Sequence, residues 1–88
     1  MNGTKFWGVA LDFGRRALYG VSLGRLVDDT LHSLAAGSPM LRFALLHVCT
    51  SAAKADARAV ELATLPQLRG FWLVPDAAKT EEEQTDDR

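Results

Sequence analysis

The stretch from Leu41 to Val74 constrains the fold most, because its periodicity changes twice within one short span. Leu41–Thr50 (LRFALLHVCT) is nearly all apolar, the pattern of a central strand covered on both faces. Ser51 is a capping residue. Ala52–Leu65 has helical propensity, with Lys54, Arg58 and Glu61 on one side and mostly Ala on the other. Pro66 ends that helix, and Gly70–Val74 (GFWLV) reads as a strand closed by Pro75. Strand, helix and strand at this spacing form a right-handed βαβ unit, with Leu41–Cys49 as the expected centre of the core.

The first half adds a hairpin. Lys5–Asp12 (KFWGVALD) reads as a strand and Phe13-Gly14-Arg15-Arg16 as a turn, with Gly14 expected to supply the unusual φ. Ala17–Leu23 is read as a second strand in preference to the start of a helix, since Gly20 and Gly24 would weaken a helix. Arg25–Ala36 is then a helix with an apolar stripe of Leu26, Val27, Thr30, Leu31 and Leu34. Gly37 is placed as its C-cap, and Pro39 blocks continuation. The expected fold is a mixed α/β domain, a small sheet of three or four strands with two helices. Its order is ββαβαβ, or βαβαβ if residues 17–36 are one helix.

Charge divides the chain. Residues 1–75 carry eight basic and five acidic side chains, a balance of +3, whereas residues 76–88 carry six acidic and two basic ones, a balance of −4. The expected organisation is one globular domain over residues 1–76 and a disordered acidic tail over 77–88, where aromatics and apolar periodicity are lacking. No signal peptide and no membrane-length apolar run is read from the sequence, and Cys49 is the single cysteine, so a reducing, cytoplasmic setting is expected. The lack of Ile and the excess of Arg over Lys fit a GC-rich bacterial or phage genome.

Val9-Ala-Leu-Asp-Phe-Gly14, followed by Gly20-Val-Ser-Leu23, resembles the first hairpin of RNase H-like resolvases and actin-like ATPases. The resemblance covers roughly residues 7–24 and implies that Asp12 holds a divalent metal or organises phosphate contacts. Those families need further carboxylates on later elements, and here the strand ending His47-Val-Cys49-Thr50 has no Glu. A complete two-metal site is therefore not expected, and Asp12 is read as a turn or capping residue.

Two other constellations have a possible chemistry. His47 and Cys49 share one strand face, and Asp28 and His32 share one helix face. Zn²⁺ accepts all these ligand types, and a Cys–His pair can be nucleophilic. The spacing is not a standard metal spacing, and a core Cys beside a locally bonded His is the plainer reading. Neither a P-loop nor a Gly-x-Ser-x-Gly elbow is present. No catalytic residue, metal or cofactor is therefore assigned.

The candidate contact residues are Trp7 and Trp72, expected with Val9 and Val74 on one shared apolar face, and a basic group of Arg15, Arg16, Arg25 and Arg69. The functional expectation is a non-catalytic binding or regulatory module that self-associates, as a homodimer, or docks on a larger protein. The alternatives are a nucleic-acid or nucleotide binder using the arginines, and a metal- or Cys/His-dependent enzyme.

Overall fold

A computed structural model describes residues 5–37 and 41–86. Its organising strand is β1 (Trp7–Asp12), which is hydrogen-bonded on both sides and buried at every position. Gly14 and its neighbours turn the chain back into β2 (Ala17–Ser22), antiparallel to β1 with Trp7 opposite Ser22 and Asp12 opposite Ala17. The preference for a strand over residues 17–23 is thus borne out. Ser22 ends β2 and caps α1 (Leu23–Ala35), its Oγ accepting the Arg25 N–H at 3.3 Å. The helix starts two residues earlier than the stripe implied and stops ahead of Gly37. The expected stop at Pro39 lies outside the described residues.

β3 (Phe43–Cys49) pairs antiparallel with the other side of β1, with a register shift between Val9 and Ala10. Ser51 caps α2 (Ala52–Leu62) as expected, its Oγ accepting the Lys54 N–H at 3.1 Å. After a short 3₁₀ turn at Pro66–Leu68, β4 (Trp72–Leu73) lies parallel to β2. The result is a mixed four-stranded sheet in the order β3-β1-β2-β4. The expected ββαβαβ order holds, and a third helix follows it.

The two faces of the sheet are covered unequally. Trp7, Val9, Leu11 and Leu18 point toward α2, where Ala52, Ala55 and Ala59 let the helix approach closely. Ala10, Val21 and Phe43 point the other way, toward Leu26 of α1. Leu26 is the buried residue of that helix. The apolar stripe of α1 therefore exists, but Val27, Leu31 and Leu34 remain exposed.

Two expectations are overturned. Leu41–Cys49 is not the centre of the core: β3 is an edge strand, and Leu45, Leu46 and Val48 are exposed. β1 occupies the centre, because a hairpin partner on one side and β3 on the other leave it no open edge. The segment from Ala77, expected to be disordered, forms α3 (Ala77–Asp86), while residues 87–88 lie outside the described residues. Its composition has little helical amphipathicity, so local pattern does not announce it. Tertiary contacts hold it instead. The buried Asp56 carboxylate on α2 accepts the N–H groups of Ala78 and Lys79, both at 2.9 Å, satisfying donors that a helix start leaves unpaired. Ser22 donates its N–H to Glu81 Oε1 at 3.1 Å and its hydroxyl to Glu81 Oε2.

Gly20 makes this junction possible. A Cβ there would stand 2.7 Å from Asp56 Oδ1 and 3.0 Å from the Cβ of Ala78, closer than packed atoms tolerate. Gly20→Val should therefore push α2 and α3 off β2 and destabilise the protein by about 1–3 kcal/mol. Asp56→Ala should cost about 1–2 kcal/mol through the orphaned N–H groups, which for a chain of this size lowers Tm by roughly 4–16 °C. Thermal melts followed by circular dichroism check both. Unchanged melting of Asp56→Ala would show that α3 is not held by this cap.

Candidate functional site

The densest polar cluster is built on Asp12, at the end of the central strand. Its side chain is fully buried yet ionised, because donors converge on it from three directions. Oδ1 accepts the Gly14 N–H at 2.9 Å and the Arg15 N–H at 3.2 Å, which closes the hairpin turn. Arg15 Nε reaches Oδ2 at 3.0 Å. Arg42, leading into β3, binds both oxygens, Nε to Oδ1 at 2.8 Å and Nη2 to Oδ2 at 3.1 Å. Burial by itself raises the pKa of this carboxyl. Hydrogen bonds from the side chains of Arg42 and Arg15 and from the Arg15 backbone outweigh it and hold the value at about 2 instead of 3.8. Asp12 also raises the pKa of Arg42, first by its hydrogen bond and then by its charge.

Asp12 is thus a turn-closing, ion-paired residue, as the plainer reading of the sequence has it. The unusual φ of the turn belongs to Arg16, at 57°, and not to Gly14. Gly14 is needed for space: a Cβ there would meet Arg42 Nε at 2.8 Å.

The two tryptophans do not share a face. Trp7 is 2% exposed and packs against Ala52, Ala55 and Ala78. Trp72 is 59% exposed and stands opposite Ala17, whose neighbours in the alternation point toward α1. Trp7 is a core residue, and the expected common surface of Trp7, Val9, Trp72 and Val74 does not form.

The arginines also separate. Arg15 and Arg25 line one groove of about 270 Å³ with Tyr19, Trp72, Asp29 and Glu81. Arg16 lies over the Phe71 ring at 5.5 Å, and Phe71 in turn meets Phe13 edge-on at 5.6 Å. Arg69 lines a separate depression with Phe71 and Leu68. Within the first groove the charge is largely matched: Arg15 binds Asp12, and Arg25 Nε lies 3.7 Å from Asp29. Burial, assisted by the charges of Asp12 and Asp29, pushes the Tyr19 phenol up to about 12, so it stays neutral at physiological pH.

His47 and Cys49 lie on the α2 side of β3, where Cys49 packs beside Trp7 and Ala52. Asp28 and His32 are on α1, across the sheet. Among the described residues no three His, Cys, Asp or Glu side chains converge as a metal site. No helix among them is long and apolar enough to cross a membrane.

What sequence reasoning missed is apolar. Leu26, Val27, Thr30 and Leu31 of α1 face Leu41, Phe43 and Leu45 across a groove of about 270 Å³. Thr30, its sole polar lining residue, directs its hydroxyl to the Leu26 carbonyl at 2.8 Å. Leu31 is 59% and Leu41 63% exposed, and Leu34 and Val48 are uncovered as well. The signal was present as the stripe on α1 and the charge-free run of β3. From sequence, β3 is placed in the core because apolar residues usually lie there, whereas the α1 stripe does not say what covers it.

Compared with protein families, curated proteins and solved structures, the chain has no significant match. Its function is argued from the geometry.

The Asp12 cluster carries a pH signature. A carboxyl whose pKa is depressed by folding adds stability above its unfolded value, near 3.8, and loses it as pH falls through about 2. The contribution is about 2 kcal/mol at neutral pH. Asp12→Asn should thus lower stability at pH 7 by at least that amount, and the gap to the parent should shrink on acidification to pH ~2, as denaturant titrations would show. A gap independent of pH would mean that the charge of Asp12 is not what holds the turn.

Proposed function

We propose that the protein is a non-catalytic, regulatory interaction module that acts in a cytoplasmic setting through the apolar surface of α1 and β3. One observation carries this reading: Val27, Leu31 and Leu34 on α1, Leu45 and Val48 on β3, and Leu41 just ahead of β3 are exposed, near a groove with no charged lining residue. Large apolar patches on small proteins are sites of association, because leaving them in water forgoes about 25 cal/mol for each Å². This moves the contact surface away from Trp7. Trp72 and Arg25 border the separate mixed groove beside it.

The competing readings have weaker support. For nucleic-acid or nucleotide binding, a basic surface with free guanidinium groups is needed. Here Arg15 and Arg42 are engaged by Asp12, Arg25 by Asp29, and Arg16 and Arg69 lie by Phe71. For a four-ligand metal site, Asp28 and His32 would have to meet His47 and Cys49 through the sheet. For a Cys–His pair, Cys49 is packed against the cluster of Trp7 and Ala52 with its Sγ directed to the Ser51 carbonyl at 3.5 Å, the setting of a core thiol.

Substitution separates these readings. Leu31→Lys and Leu45→Lys replace exposed side chains and should shift Tm by only a few degrees. Each should weaken whatever assembly the purified protein forms, with itself or with a co-purified protein, by roughly 10–100-fold. Arg16→Ala and Arg69→Ala should leave that assembly intact. The proposal fails if the lysine substitutions change nothing and the arginine ones abolish a salt-sensitive association with nucleic acid.

A further inference from the structure

α3 buries far less of itself than α2 does. Over residues 77–84, Ala78 is buried, Ala77 and Glu81 are half-buried and the others are exposed. α2 buries Ala52, Ala55, Asp56 and Ala59. The hold on α3 is polar and is applied at two points. Asp56 accepts the Ala78 and Lys79 N–H groups at its start, and Glu81, one turn on, accepts the N–H and the hydroxyl of Ser22.

Beneath this helix lies the outer edge of β2. β4 pairs with β2 at Ala17 and Leu18 and is followed by Pro75 and α3, so toward Ser22 no strand of the described sheet lies beside β2. The Ser22 N–H points out of that edge, where an added strand would supply a carbonyl, and the Glu81 carboxylate is the acceptor in its place. A helix laid over a sheet edge is one of the ways proteins keep the edge from pairing. Ala78 also belongs to the cluster that seals Trp7.

From this we infer that α3 is a lid: it opens as a unit while the sheet, α1 and α2 stay folded, and its opening bares the outer edge of β2 together with Trp7. The lid lies on the α2 side of the sheet, away from the α1–β3 surface, and is independent of the reading of that surface.

Two physical arguments favour opening of α3 by itself. Local openings are drawn from segments with few buried apolar contacts, and the buried residue of α3 is an alanine. The elements that α3 leaves behind also keep bonds of their own. Ser22 Oγ still accepts the Arg25 N–H and caps α1, and Asp56 remains within α2. The two groups released, the Ser22 N–H and the Asp56 carboxylate, meet water once the lid is open and carry no penalty of unpaired burial.

Amide hydrogen exchange of the full chain, resolved at each N–H by nuclear magnetic resonance, tests the inference. The Ser22, Ala78 and Lys79 amides should exchange together, at least about tenfold faster than those of β1. Glu81→Ala should speed all three by about tenfold or more and leave β1 unchanged. Alanine is the better helix former, so such loosening is not lost helix propensity. Glu83→Ala, at an exposed position of α3, should leave all three unchanged. In a Trp72→Phe background Trp7 is the sole tryptophan. Removing both anchors there, with Asp56→Ala and Glu81→Ala, should open its emission to quenching by acrylamide while circular dichroism still shows the sheet. If the Ser22, Ala78 and Lys79 amides exchange only as slowly as those of β1, α3 opens only with the whole fold and the inference is overturned. A Ser22 amide indifferent to Glu81→Ala overturns it too, as does a Trp7 that stays unquenched with both anchors gone and the sheet intact. The first comparison uses the unsubstituted protein, so it decides the matter even if a variant folds poorly.

Discussion

The ion pairs of Asp12 fix where the strands begin. One buried carboxylate closes the β1–β2 turn through two backbone N–H groups and holds the entry to β3 through Arg42. An unpaired charge in that position would be strongly disfavoured, and two guanidinium groups together with the turn amides remove the penalty. Because both neighbours of the central strand are anchored at the same residue, their registers are set together. The open outer side of β3 is thereby held extended and in line with the rest of the sheet. The apolar surface of the protein depends, in this sense, on its most polar cluster.

The same sheet shows two ways of covering apolar area. On the α2 side, alanines bring the helix close, α3 fills the remaining space, and Trp7 is sealed. On the α1 side a single helix touches the sheet mainly through Leu26, and larger side chains stand away from it. A finished face and an unfinished one lie back to back, and a binding reading draws on the second.

Much of the fold was legible because local rules and tertiary structure agree. The hairpin follows from alternation and turn chemistry, α1 from its apolar stripe, and α2 from its helical propensity and the Ser51 cap; Ser22, which caps α1, reads in sequence only as part of the strand. β3 was misplaced because apolar density marks a strand without saying what covers it. A strand covered on both faces and one at the edge of a sheet can have the same composition. α3 was missed for the opposite reason: its main apolar anchor is the small side chain of Ala78, and its cap comes from Asp56, on another helix. Trp7 and Trp72 look alike in sequence, in Phe-Trp-x-Val contexts, but the first lies on a central strand and the second at an edge. Of the candidate contact residues, Trp72 is on the surface as expected, whereas the leucines of β3, expected in the core, are exposed.

The close approach at Gly20 has a bearing on ancestry. Three positions far apart in sequence, 20, 56 and 78, must be compatible at once: no side chain, an acceptor, and a methyl group. A chain that had diverged until its overall similarity vanished would still face this steric condition if it kept the three-layer arrangement. Within this packing, positions 20, 56 and 78 can change only in concert.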